Sequence, residues 1–397
     1  MRLAQRMAQI QPSATFAISK RAAALRAAGA AVVSFAMGEP DYDTPEHICE
    51  AAIAAIKEGF TRYTPVSGID ELKEAIIGEF QTNYGLSYDP AEVIVSCGAK
   101  HSLYNLAQVL FDPGDEVLIP VPYWVSYPEI VRLAGAVPVP VATHEENGFK
   151  LQPDALKEAI TGRTRALILN SPSNPSGSVY SRGELEALAS VILEYNLVVI
   201  SDDIYYRIRY NDEPWCNLAM LGNELKKQTI TVNGVSKTYA MTGWRIGYLA
   251  GSAQVAGAVS RIQSQSTSNP GSIAQKAAVA ALKGPQDSVD RMVREYDKRR
   301  RYMVSRLDSM PDVHVHKPSG AFYVFANFAP YFGSSYNGNE IKGSVDLASY
   351  LLENAHIAVV PGVAFGEDNC LRFSYATSLS HIEQGLTRAS EALSRLS

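Results

Sequence analysis

Short apolar runs alternate with amphipathic stretches along most of this chain. Residues 93–96, 117–119, 137–141, 166–170, 197–201, 229–232 and 247–250 are dominated by apolar side chains. Apolar runs this short, bounded by turn residues, predict buried strands. Helices are expected between them at about 99–111 and 126–134, and Ser181 with Glu184 forms a capping box for another. Strand alternating with helix predicts a mostly parallel sheet covered on both faces. Upstream, Pro12-Ser13 reads as the opening of an amphipathic helix that stops at Gly29, followed by a strand at 32–35. Thr44-Pro45-Glu46 reads as a cap and first turn of a helix ending at Gly59, with another helix over 69–84.

From about Gln286 the pattern changes. A long charged helix runs to about Met310, strands are expected at 313–316 and 321–325, and a Gly/Asn/Ser-rich loop covers 332–343. A helix, a strand at 371–375 and a terminal amphipathic helix complete what reads as a smaller α+β domain. The chain shows no repeat and no low-complexity tract.

A length of 397 residues accommodates two domains. The net charge of -5 argues against a partner that is a nucleic acid or another polyanion. The basic run Lys298-Arg299-Arg300-Arg301 has acids close upstream and reads as a solvated helix face. Cys49, Cys97, Cys216 and Cys370 lie far apart and form no CxxC pair, which suggests reduced thiols in a cytoplasmic protein and no zinc site. The apolar run at 27–38 is too short to span a membrane. No acid precedes Glu39, as in a transit peptide, but the first functional motif at Gly38 leaves little to cleave. His314 and His316 read as one solvated strand face.

Candidate chemistry clusters where predicted strands end, which is where open α/β sheets bind ligands. Ser236-Lys237-Thr238 carries a lysine with Arg245 eight positions on. A lysine amine can trap a carbonyl when it is held deprotonated, and pyridoxal phosphate is such a carbonyl, with a phosphate that an arginine suits. Ser96-Cys97-Gly98-Ala99-Lys100 turns a strand into a helix and offers backbone donors to a phosphate; it reads equally as an ordinary turn. Asp202, at the end of an apolar strand, could pair with a pyridine nitrogen or merely cap, and Tyr205 could donate to a ring oxygen. Asn174 is fixed between Pro172 and Pro175 as a positioned amide. Trp124 could stack on a ring or fill a core. Arg372 puts a charge inside an apolar strand, which is rare unless an anion meets it. GxGxxG, Walker A, GxSxG, SxxK and HExxH motifs are absent.

Together, residues 170–177, 201–205, Ser236-Lys237 with Arg245, and 371–378 resemble the fold-type I pyridoxal phosphate aminotransferases. Within that group Tyr239 to Tyr248, Gly38-Glu39-Pro40-Asp41 and Pro122 to Pro128 are most similar to the class I bacterial aspartate aminotransferases. The resemblance runs through nearly the whole chain and implies a large domain with a mostly parallel seven-stranded sheet flanked by helices, plus the small α+β domain. The expected divisions are 1–45 (an N-terminal arm and part of the small domain), 46–285 (the large cofactor-binding domain) and 286–397 (the small domain). It implies pyridoxal 5′-phosphate as cofactor, joined to Lys237. Gly98, Ala99, Lys100, Ser236 and Arg245 would surround its phosphate, Trp124 would stack on its ring, Asn174 and Tyr205 would hold its ring oxygen, and Asp202 its ring nitrogen. Arg372, with Gly38, Trp124 and Asn174, would face the substrate carboxylate. Tyr63 would reach the phosphate of the neighbouring subunit in a homodimer with shared sites. The implied reaction moves an amino group from an L-amino acid to a 2-oxo acid, with aspartate and 2-oxoglutarate leading. Alanine, aromatic amino acids or prephenate are alternatives, as is a fold-related lyase.

Two departures bear on the substrate. The segment Ser264 to Pro270 has no arginine after Arg261 to read a distal carboxylate, and Gln108 stands in the region where the bacterial subgroup carries a lysine. Gln11 replaces the basic residue that precedes Pro-Ser-Ala-Thr in relatives accepting prephenate.

Overall fold

A computed structural model describes residues 2–10, 14–210 and 213–397. The expected helix opening at Pro12-Ser13, and Gln11, lie outside the described residues. In chain order the first elements are α1 (Ala14–Ala27), β1 (Val33–Ser34), α2 (Glu46–Lys57), α3 (Asp70–Tyr84), β2 (Val93–Ser96) and α4 (Ala99–Leu110). Next come β3 (Glu116–Pro120), α5 (Ser126–Leu133), β4 (Val137–Val141), α6 (Pro153–Ala159), β5 (Thr164–Asn170), α7 (Arg182–Glu194) and β6 (Val198–Asp202). They are followed by α8 (Asn223–Gln228), β7 (Thr229–Gly234), β8 (Gly247–Ala250), α9 (Ala253–Ser266) and α10 (Ser272–Lys283). The C-terminal part holds α11 (Asp287–Asp308), β9 (His314–Val315), β10 (Tyr323–Asn327), β11 (Ser335–Tyr336) and β12 (Asn339–Glu340). It ends with α12 (Ser344–Asn354), β13 (Ile357–Ala358), β14 (Val360–Pro361), β15 (Cys370–Ser374) and α13 (Leu379–Leu393).

The central sheet has seven strands in the order β2-β8-β7-β6-β5-β3-β4. Only β8 runs antiparallel to its neighbours, so the sheet is mostly parallel, as the alternation of elements predicts. Its strands are apolar because helices cover both faces: the inner strands β7 and β8, and the edge strand β2, are buried throughout. With this order, the carboxyl ends of β2, β3, β5, β6 and β7 share one edge with the start of β8.

The C-terminal part carries the antiparallel sheet β14-β15-β10-β9. Segment β1 pairs in parallel with β13, and Ser374 donates its backbone N–H to Phe35 O. Val33 and Phe35 share one core with Leu347, Leu371, Phe373 and Leu386. The chain near residues 33–36 is therefore packed into the C-terminal part.

Several local expectations are corrected. Thr44 does not cap α2: its hydroxyl donates to Ala240 O at 2.7 Å and accepts from Trp244 Nε1 at 3.0 Å. The strand expected at 321–325 starts two residues later, because Ala321 sits in the left-handed region with φ 56°. The loop at 332–343 contains the short hairpin β11–β12. His316 packs edge-on against Phe149 (6.2 Å) instead of facing solvent beside His314. Arg299 is buried, not solvated like Lys298 and Arg301, because it meets Asp41. No helix among the described residues is long and apolar enough to cross a membrane.

Candidate active site

The strand ends open onto a cavity of about 590 Å³. Gly38, Ala99, Lys100, Trp124, Asn174, Asp202, Tyr205, Ser236, Lys237, Arg245 and Arg372 all line it. Two expected residues do not. Gly98 lies behind the wall, and Tyr63 projects outward, 90% exposed.

Each position follows from a local device. Gly98 caps α4 with φ 88°, and a Cβ there would come within 2.3 Å of Arg245 Nη2. Gly247 is as tightly placed, since a Cβ would fall 2.1 Å from the Ala99 backbone nitrogen. The two glycines let the α4 N-terminus and the Arg245 guanidinium close on one spot, a cradle suited to a phosphate. Arg245 itself is left-handed (φ 56°), and its Nη1 donates to Thr242 O at 2.9 Å. Asn170, at the end of β5, ties the next loop down: its amide donates to Asp202 O at 2.8 Å and its Oδ1 accepts from Asn174 N at 2.8 Å.

Asp202 is 3% exposed, and burial pushes its carboxyl up to about 6. The Tyr127 hydroxyl (2.7 Å) and the Ile204 N–H (3.2 Å) donate to it and oppose that rise. Burial pushes the Lys237 ammonium down to about 8, with Arg372 and Arg245 helping and Glu39 and Asp202 opposing. Its Nζ donates to Gly38 O and lies 6.0 Å from the Tyr205 ring centroid. A lysine so placed is available as a neutral amine near neutral pH.

Arg372 is 2% exposed. Nη1 donates to Asn174 Oδ1 at 3.0 Å and Nη2 to Ala36 O at 2.8 Å, while Nε has no partner. No carboxylate among the described residues pairs with it. A buried guanidinium with only neutral acceptors is a receptor for an anion. Four lining cations (Lys100, Lys237, Arg245, Arg372) face two lining carboxylates (Glu39, Asp202), so the cavity as a whole favours anionic ligands.

The chain matches Aminotransferase class I and II over residues 30–388. It belongs to that family. An aspartate aminotransferase of Geobacillus stearothermophilus is 49% identical over 98% of each chain. An aspartate/prephenate aminotransferase of Nitrosomonas europaea is 45% identical, covering 99% of this chain and 100% of the relative. The crystal structure of the Rhizobium meliloti aspartate aminotransferase superposes with a TM-score of 0.97 at 44% identity over the whole of both chains. Members of this aminotransferase family use pyridoxal phosphate, and the donor set fits that group: a lysine amine, a buried carboxylate, and an arginine beside a helix N-terminus.

Two tyrosines of this aminotransferase escape sequence reasoning. Tyr127 lies in the quoted run 122–128, but nothing in the pattern says that its hydroxyl meets Asp202. Tyr323 lies on β10; its hydroxyl is 2.9 Å from that of Tyr205, and its ring lies 4.4 Å from the Arg372 guanidinium carbon. Ser19 reaches the cavity from α1, which no local signal announces. Gln108, the departure noted above, does not line the cavity. Lys100, on the first turn of the same helix, faces the cavity 4.8 Å from the Trp124 ring, whereas Gln108 Nε2 is buried without a partner.

Tyr127→Phe removes one of the donors that hold the Asp202 carboxylate ionised. The acidic limb of the pH–rate profile, set by loss of that carboxylate as pH falls, is then expected to move upward by about one unit. Profiles of the two proteins measured side by side check this; coincident limbs would contradict it.

Proposed function

We propose that this protein is a cytoplasmic, homodimeric aspartate aminotransferase that moves the amino group of L-aspartate to 2-oxoglutarate. The observation that carries the reading is Arg372, a buried cation without a carboxylate of its own, beside Lys237 in the same cavity. Bound pyridoxal phosphate would supply a carbonyl that exchanges amines and a ring that accepts the electrons left on the substrate's α-carbon. Gly98, Ala99, Lys100, Ser236 and Arg245 would hold the phosphate, Trp124 would stack on the ring, and Asn174 and Tyr205 would hold the ring oxygen. Asp202 would hold a proton at the ring nitrogen.

The protein's own part is binding, orientation and proton movement. Arg372 takes the α-carboxylate in place of its missing anion. Its grip on Asn174 Oδ1 leaves the Asn174 NH₂ to donate. The Lys237 amine would remove the proton from the α-carbon and return it two atoms away, on the carbon beyond the amino nitrogen, which proximity makes efficient. In the homodimer, the exposed Tyr63 would reach across to the partner's phosphate site.

Lys100 is the candidate reader of the second carboxylate. It lines the cavity, no carboxylate among the described residues pairs with it, and burial followed by Arg245 pushes its pKa down. Lys100→Ala is therefore expected to raise KM for aspartate about 10- to 100-fold while leaving alanine, which lacks a second carboxylate, unaffected. Equal effects on both amino acids would assign Lys100 to the phosphate alone. Prephenate also carries two carboxylates and belongs in the same assay, since one relative is named for it.

A further inference from the structure

Helix α11 carries the basic run Lys298 to Arg301, and one member of it is turned inward. The Arg299 side chain is 9% exposed, against 74% and 73% for Lys298 and Arg301. Its Nη1 donates to both carboxylate oxygens of Asp41, at 2.9 and 2.8 Å. Its Nε reaches Glu295 Oε1 at 3.3 Å, and the Tyr296 hydroxyl adds a third bond to Asp41 at 3.2 Å. The guanidinium lies 5.6 Å from each of the Tyr42 and Tyr296 rings, which meet edge to face at 5.7 Å. Partly buried and charge-assisted, this contact is of the strong kind.

Asp41 ends the segment 36–41, which has no helix or strand to hold it. That segment is a wall of the cavity, through Met37, Gly38 and Glu39. Its carbonyls orient both cations of the reaction: Ala36 O accepts from Arg372 Nη2, and Gly38 O accepts from Lys237 Nζ. At its start the segment is tied by Phe35, which bonds to Ala358 and Ser374. Within it Glu39 accepts from the Thr242 hydroxyl at 2.9 Å, and at Asp41 the tie is Arg299. The two cations do not depend on the wall equally. Lys237 sits in a loop with backbone bonds of its own, Tyr239 N to Val235 O and Met241 N to Ser236 O. Arg372 has only two acceptors for its guanidinium, and one of them is on the wall.

We propose that Arg299 is a positioning residue for substrate: its grip on Asp41 fixes the wall at 36–41, and release of that grip weakens amino acid binding more than it slows turnover. The proposal rests on the reading of Arg372 as the carboxylate site. Because one nitrogen makes both contacts to Asp41, a lysine can replace much of the grip, whereas methionine keeps the packed stem and loses the bonds.

The test uses the holoenzyme and the variants Arg299→Met, Arg299→Lys and Asp41→Asn. Arg299→Met is expected to raise KM for the amino donor about tenfold with kcat within about threefold, and Arg299→Lys to recover most of the loss. The dissociation constant of a dicarboxylate inhibitor, measured by equilibrium dialysis without turnover, should rise by the same factor. Unchanged KM and inhibitor affinity in folded Arg299→Met overturn the proposal. So does an Arg299→Lys variant as impaired as Arg299→Met, which would mean that a cation bonded to Asp41 is not what holds the wall. Where Arg299→Met fails to fold, Asp41→Asn carries the same expectation, and an unchanged KM in it overturns the proposal. A wild-type protein without transaminase activity would instead sink the assigned reaction, and the inhibitor measurement would still decide the role of Arg299.

Discussion

Lys237→Ala is expected to lower kcat by about four orders of magnitude or more while the cofactor's phosphate site stays intact. The size follows from two jobs held by one amine. On the proposed function it would be both the cavity's nucleophile and the base beside the α-carbon. Its pKa, pushed down to about 8 by burial, keeps a useful neutral fraction near pH 7.5 that a solvated lysine would lack. The other lining lysine, Lys100, has its ammonium over the Trp124 ring, 4.8 Å from the centroid, and is not expected to take over both jobs. Steady-state turnover, with pyridoxal phosphate retention followed by absorbance, checks this. Retained cofactor with kcat within tenfold of wild type would remove Lys237 from the mechanism.

Arg372→Ala is expected to cost about 10²- to 10³-fold in kcat/KM, most of it in KM. The guanidinium is buried and has only Asn174 Oδ1 and Ala36 O as acceptors, so the incoming carboxylate is its first ionic partner. Removing it leaves that carboxylate in the cavity without its cation. It also frees Asn174, which loosens the loop that Asn170 ties down. Arg372→Lys should recover little, because a lysine cannot keep both neutral acceptors and still offer a fork to the ligand. Saturation curves for aspartate with the two variants provide the check, and a KM within threefold of wild type would contradict the role.

Much of this architecture was legible because it is written locally. The strands at 137–141 and 247–250 coincide with β4 and β8, since short apolar runs flanked by turns have few other folds open to them. Arg372 stood out because a charge inside an apolar strand needs a reason. What stayed hidden depends on distant partners. Arg299 looked solvated because its neighbours along the helix include acids, yet its partner Asp41 lies 258 positions away. Thr44 has the sequence of a cap, but its hydroxyl is taken by Ala240, 196 positions on. That Lys100 and not Gln108 lines the cavity could not be read from the sequence, because which face of α4 meets the cavity depends on how β2 and β8 seat it. Tyr127 and Tyr323 have apolar bodies that read as core, and only their hydroxyl partners reveal them as part of the site.

The most direct test of the central claim is a half-reaction. The purified protein, loaded with pyridoxal phosphate, is mixed with L-aspartate alone, and the cofactor's visible absorbance band is followed. The account predicts that aspartate and glutamate bleach the band, that alanine does so far more slowly, and that oxaloacetate restores it. A band that persists with aspartate, or one bleached by alanine in preference to aspartate, would contradict it.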